Sequence, residues 1–168
     1  MSIADLRYAA AVQVFLIRHA DAAAESLALP DPLRHLTLPG RQQARALGDR
    51  LRWHDCAPTH VWSSPLVRAV QTAELVAGNL HVEAAVHVLP ALAPDADPHA
   101  VVAALAALPA DAIVILVGHE PGLSAVGTLL IGQPTLAGLA RAEAVRIADG
   151  AVRWRFAWDA DAPEIAAR

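Results

Sequence analysis

The chain of 168 residues contains no lysine; all 13 of its fixed cations are arginines. That absence removes several mechanisms together. A P-loop needs a Gly-Lys-Ser/Thr run, and Schiff-base or pyridoxal chemistry needs a lysine amine, so neither can operate here. A phosphatase built on an aspartyl nucleophile, which usually also uses a lysine, is disfavoured. Cys56 is the single cysteine, which rules out an internal disulfide and points to a reducing compartment. Aromatics make up only 4% of the residues, and no apolar run approaches the ~20 residues of a membrane span. Met1–Ala11 carries Asp5 and Arg7 and lacks a basic segment followed by a long apolar one, so no signal peptide is expected and the cytoplasm is the expected location.

What remains is a globular composition, 55% hydrophobic and 18% charged. A chain of this length fits one domain, 1–168 with a core over about 12–158, and can bury roughly 70% of its unfolded surface. The net charge of −4 argues against nucleic acid or an anionic membrane as the main partner. Any anion site must therefore be a local concentration of arginine in an acidic protein.

Apolar runs alternate with helical periodicity along the chain. Val12–Ile17, His60–Ser63, Val86–Leu89 and Ile113–Val117 read as strands. Helices are expected from about Pro39 to Trp53 with Thr37 as cap, and from Ser64-Pro65 to about Val76 with Ser64 as cap. Two more are expected from His99 to Leu108 behind Asp97-Pro98, and from about Gly122 to Ile131. Ala144–Ile147 and Val152–Trp158, split by Asp149-Gly150, predict a hairpin. The order implies an α/β fold in one domain, a three-layer α/β/α arrangement around a mainly parallel sheet with an antiparallel edge hairpin.

In such a sheet, ligands bind outside the carboxyl ends of the strands. The first strand runs into Arg18-His19, the second into Ser64-Pro65-Leu66-Val67-Arg68, and the fourth into Gly118-His119. These ends would gather Arg18, His19, Arg68 and His119 around one pocket. Arginine suits a phosphate clamp because its planar fork stays charged and binds bidentately. A histidine nucleophile must be neutral, with an acceptor, expected to be a backbone carbonyl, on its other ring nitrogen. Neighbouring arginines would lower its pKa by repulsion.

Four segments resemble those of the histidine phosphatase (phosphoglycerate-mutase-like) superfamily, and within it the short branch of small bacterial phosphohistidine phosphatases of the SixA type. They are Leu16-Ile17-Arg18-His19-Ala20-Asp21, Arg34-His35-Leu36-Thr37-Leu38-Pro39-Gly40, the run from Ser64 to Glu74, and Leu116-Val117-Gly118-His119-Glu120-Pro121-Gly122-Leu123. The resemblance implies that His19 is a transiently phosphorylated nucleophile, that Arg18, Arg68 and His119 hold the phosphoryl oxygens, and that Arg34 lines the rim of the phosphate pocket. Two departures stand out. Ala20 replaces a glycine of the broad superfamily. Leu89-Pro90-Ala91-Leu92 stands where many relatives have Leu-Pro-Glu-Leu, and in the mutase branch a Glu of this region donates a proton. Asp21, Asp95, Asp97 and Glu120 are candidate substitutes.

No cofactor and no metal are expected. His54, Cys56 and His60 match no standard zinc spacing, and Leu123 occupies the place of the second histidine in a zinc-protease motif starting at His119. Cys56 also lacks the arginine six positions on that a cysteine phosphatase would need, since Trp62 is there. The reading is a metal-independent phosphatase acting on a phosphohistidine-bearing protein or a small phosphorylated substrate, with no nucleic-acid or membrane partner; a monomer is compatible with the chain. A small-metabolite phosphomonoesterase and a non-catalytic phosphate or phosphoprotein binder are the alternatives.

Overall fold

A computed structural model of the chain describes residues 12–54, 56–132 and 136–166. Met1–Ala11, where no signal peptide is expected, lies outside the described residues. Among the described residues, seven strands form one sheet: β1 (Gln13–Arg18), β2 (His60–Ser63), β3 (Val86–Val88), β4 (Ile113–Gly118), β5 (Glu143–Ala148), β6 (Ala151–Ala157) and β7 (Glu164–Ile165). Their spatial order is β3-β2-β4-β1-β5-β6-β7. The first four run parallel, and β5, β6 and β7 extend the sheet antiparallel beside β1. The mainly parallel α/β architecture expected from sequence is the one observed, with β7 as an additional edge strand.

β1 is buried throughout its centre because both of its faces are covered. Phe15 and Ile17 enter one apolar cluster and Val14 and Leu16 the other. That is why the strand reads as a continuous apolar run without polar alternation. Helices α1 (Leu38–Arg52) and α2 (Val67–Leu80) pack together over the first cluster, and α3 (Pro98–Ala106) and α4 (Gly122–Ile131) over the second.

The caps of α1 and α3 are those expected. The Thr37 hydroxyl accepts from Gly40 N at 3.0 Å, and the Asp97 carboxylate accepts from His99 N at 2.9 Å. The start of α2 is not. Leu66 is its N-cap, no side chain caps it, and the helix runs on to Leu80 before His81 ends it in the left-handed region. Ser64 is fully buried and engaged elsewhere, which corrects its assignment as a helix cap. The β5–β6 turn has Asp149 and Gly150 both at positive φ (51° and 67°), the backbone an Asp-Gly hairpin favours.

Register decides where the site lies. Arg18 pairs with Gly118 across β1 and β4, and Ser63 pairs with Val117 across β2 and β4. The carboxyl ends of three adjacent strands are therefore level, and the next residues, His19, His119 and Ser64, leave the sheet side by side.

Candidate active site

His19 follows β1 directly, and its amide donates to the Gly118 carbonyl at 3.1 Å. Its ring is buried. Nδ1 lies 2.7 Å from the Ala20 carbonyl, and Nε2 lies 3.3 Å from Nε of Arg68. A carbonyl only accepts and a guanidinium only donates, so the proton is on Nδ1 and the lone pair is on Nε2. Burial lowers the His19 pKa to about 4; the Ala20 bond opposes this, and Arg68, Arg18 and Arg141 add to it. The backbone acceptor is the one expected. Arginine repulsion lowers the pKa in the direction expected, and burial is the larger cause.

Arg68 sits in the first turn of α2 with its side chain buried. Thr72, one turn on, receives Ala20 N at 3.1 Å and donates to the Arg68 carbonyl at 2.7 Å. That single hydroxyl fastens the end of β1 to the start of α2, and so His19 to Arg68. Arg18 donates through Nη1 to the Leu139 carbonyl at 2.8 Å, while its buried Nε has no partner. An orphaned buried donor on a cation fits an anion that would complete it.

His119 follows β4. Its ring centroid is 5.0 Å from that of His19. Its Nε2 lies 2.8 Å from the Ser64 hydroxyl. Burial is the main cause lowering its pKa to about 3, with His19, Arg68 and Arg18 adding and Asp31 opposing. Both histidines are therefore neutral at pH 7.

The structure brings Arg18, His19, Arg68 and His119 together, as the strand ends suggested. Arg34 lies one residue pair further out: Nε donates to the Ala23 carbonyl at 2.6 Å, and Nη1 to the Asp31 carboxylate at 2.8 Å. Asp31 bridges Arg34 to Arg68. Sequence reasoning assigned no role to Asp31, Ser64 or Thr72 in this site. The bonds that tie Asp31 to Arg68 and Ser64 to His119 span distant parts of the chain and left no local signal, although Asp31 also pairs with Arg34 and Ser64 also accepts from Leu66 N; Thr72 stood four residues after Arg68, one helical turn away.

Four carboxylates were candidates for the acid that position 91 lacks. Both Glu120 oxygens are taken, by Leu139 N at 2.9 Å and the Ser124 hydroxyl at 2.6 Å. Glu120 thus braces the loop that supplies Leu139 to Arg18. Asp21 is bound by the Thr37 hydroxyl at 2.7 Å and pairs with Arg141. Asp97 caps α3, and Asp95 is exposed on the turn before it. Beside His119 is a small, partly open pocket lined by Ala91, Leu92, Pro98, Val101 and Leu123, among other apolar residues. Among the described residues there is no cluster of three or more His, Cys, Asp or Glu side chains arranged to hold a metal ion.

A neutral imidazole nitrogen with an available lone pair, set among buried arginines, can attack an anionic electrophile that those arginines bind. Comparison with known proteins gives the family. The family model of the histidine phosphatase superfamily (branch 1) matches residues 14–93, which include Arg18, His19, Arg34 and Arg68. The chain is 36% identical over 112 residues to the phosphohistidine phosphatase SixA of Escherichia coli K12, covering 66% of this chain and 68% of that one. The solved structure of a protein histidine phosphatase SixA complexed with tungstate superposes with a TM-score of 0.80 at 29% identity, over 87% of this chain and 97% of that one. A mycobacterial glucosyl-3-phosphoglycerate phosphatase, 20% identical, shares the fold with a TM-score of 0.59 over 89% of this chain and 99% of that one. The chain belongs to the histidine phosphatase superfamily, branch 1.

Proposed function

We propose that this chain is a single-domain, metal-independent phosphohistidine phosphatase that works through a covalent phosphohistidine on His19. The observation that carries the reading is the state of the His19 ring. Its proton is held at Nδ1 by the Ala20 carbonyl, and its Nε2 lone pair faces the Arg68 guanidinium. The likeness to SixA supports the same choice of substrate.

The reaction runs in two transfers. The substrate phosphoryl group settles among Arg18, Arg68 and His119, and its oxygens take up the unused Arg18 Nε donor. A phosphoryl oxygen takes over the Arg68 Nε–H from His19, and Nε2 attacks phosphorus as the bond to the leaving nitrogen breaks. The Nδ1 proton stays on the ring and the Ala20 carbonyl stabilises the resulting charge. Water then attacks the phosphoenzyme, releases inorganic phosphate and restores neutral His19. Positioning and fixed charge supply most of the catalysis in such transfers.

Substrate class follows from what stands near the leaving group. A phosphohistidine substrate leaves as a neutral imidazole when its distal nitrogen carries a proton, so the transfer exchanges one N–P bond for another and needs no external acid. An alkyl phosphate would depart as an alkoxide, and general acid catalysis is worth roughly 10²–10⁴-fold. Ala91 provides no proton, and Glu120 and Asp21 are committed to structural hydrogen bonds. The expected partner is therefore a phosphohistidine-bearing protein of signalling or phosphotransfer, with the cytoplasm as the setting. Turnover of a series of aryl and alkyl phosphates tests this: rates should fall steeply as the leaving-group pKa rises, and a flat dependence would contradict it.

A further inference from the structure

We infer that Asp31 is a positioning residue for the phosphoryl site, holding the end of the Arg68 guanidinium so that its Nε edge faces His19. Asp31 opens a short 3-10 turn, Asp31–Leu33, with Pro30 just before it and Pro32 within it. Proline fixes φ at both places, so the turn presents its carbonyl and carboxylate in one arrangement. Arg68 Nη1 donates to the Asp31 main-chain carbonyl at 2.8 Å and Nη2 to its carboxylate at 3.1 Å. The other carboxylate oxygen takes Arg34 Nη1 at 2.8 Å.

A guanidinium offers two forks, one across its end through both Nη atoms and one along its side through Nε and Nη2. Asp31 fills the end fork. What is left is the side fork, and its Nε–H lies 3.3 Å from His19 Nε2. A phosphoryl group carried on that nitrogen would meet this edge. Arginine side chains are long and rotamer-rich, and a guanidinium held at its end has only one direction in which to present its side.

The same carboxylate explains how Arg34 and Arg68 lie close together without separating: it sits between them and is bonded to both. Partial burial works to raise the Asp31 pKa, but the hydrogen bonds from Arg34 and Arg68 outweigh it and hold the carboxyl below its ordinary value. An ionised carboxylate with both oxygens taken is a poor proton donor, so its part is to aim a neighbour. The turnover consequence rests on the phosphatase reading above; the anion-binding consequence does not.

The test is a cycle of wild type, Asp31→Asn, Arg68→Lys and the double variant, measured with p-nitrophenyl phosphate and with orthovanadate. Asp31→Asn should lower kcat about 10- to 100-fold with KM little changed, the scale of loss when a reacting group is misplaced by about 1 Å. Vanadate affinity should weaken about tenfold, the scale of one charge-assisted hydrogen bond. In the Arg68→Lys background the same substitution should change either quantity by less than about twofold, because a lysine has no fork to aim. Equal losses in both backgrounds would make Asp31 a structural brace, and tighter vanadate binding in Asp31→Asn would make it a competitor for the anion; either result overturns the inference. Wild type that binds vanadate but hydrolyses nothing would contradict the phosphatase reading, while the vanadate cycle still decides the role of Asp31.

Discussion

The Nε of Arg68 and the Nε2 of His19 are 3.3 Å apart, and the opposite nitrogen of the same ring is 2.7 Å from the Ala20 carbonyl. One histidine is thus read from both sides by groups whose proton preferences cannot be exchanged, and its tautomer follows. Nitrogen-15 NMR of the ring at pH 7 should show neutral His19 with its proton on Nδ1. Titration should leave the ring neutral until the pH nears about 4.

Folding stability should carry the same signature. His19 and His119 are lowered from 6.5 to about 4 and about 3, so the unfolded chain takes up protons first as pH falls. Their contribution is complete above pH 6.5 and is lost progressively from there down to about pH 3. Denaturant midpoints measured across that window should fall with acid, and His119→Asn should flatten part of the slope. An unchanged slope would contradict the burial assigned to His119.

Ser64→Ala removes the hydroxyl 2.8 Å from His119 Nε2. A buried ring nitrogen left without a partner costs about 1–3 kcal/mol. Thermal unfolding should report that loss, and kcat/KM should drop because the His119 ring is no longer fixed. His19 should still become phosphorylated, since its own contacts are intact.

Gly40 packs against the loop that carries Asp31 and Arg34. A Cβ built there would lie 1.9 Å from the Asp21 carbonyl oxygen, a collision with main chain that no side-chain rotation relieves. Gly40→Ala should destabilise the protein by at least about 1–3 kcal/mol, the usual scale of overpacking. It should also reduce activity, because the displaced segment ends in the Asp21–Thr37 and Asp21–Arg141 contacts. Denaturation and p-nitrophenyl phosphate assays read the two effects.

Ala91 lines the apolar pocket next to His119. Ala91→Glu places a carboxyl group there, and turnover of glycerol phosphate should rise about tenfold, below the full scale of general acid catalysis. Turnover of a phosphohistidine protein should stay roughly level. A gain on both substrates, or on neither, would contradict the leaving-group argument.

The parts of this structure legible in sequence are those whose causes are local. The apolar run of β1 and β4, the Thr37 and Asp97 caps and the Asp149-Gly150 turn each act through neighbours within a few residues. The gathering of Arg18, His19, Arg68 and His119 was legible from strand ends, because parallel register aligns them. Ser64 misled for a physical reason: Ser before Pro is good helix-start chemistry, yet its hydroxyl meets a histidine 55 positions away. Asp31 was hidden likewise, 37 positions from Arg68 in a loop that reads as merely polar.

The most direct test of the account is to mix the protein with a ³²P-phosphohistidine protein in EDTA, quench in base, and compare wild type with His19→Ala. The account predicts transient label on His19 in wild type, release of inorganic phosphate, and neither in the variant. Phosphate release by His19→Ala at the wild-type rate would contradict a covalent phosphohistidine on His19.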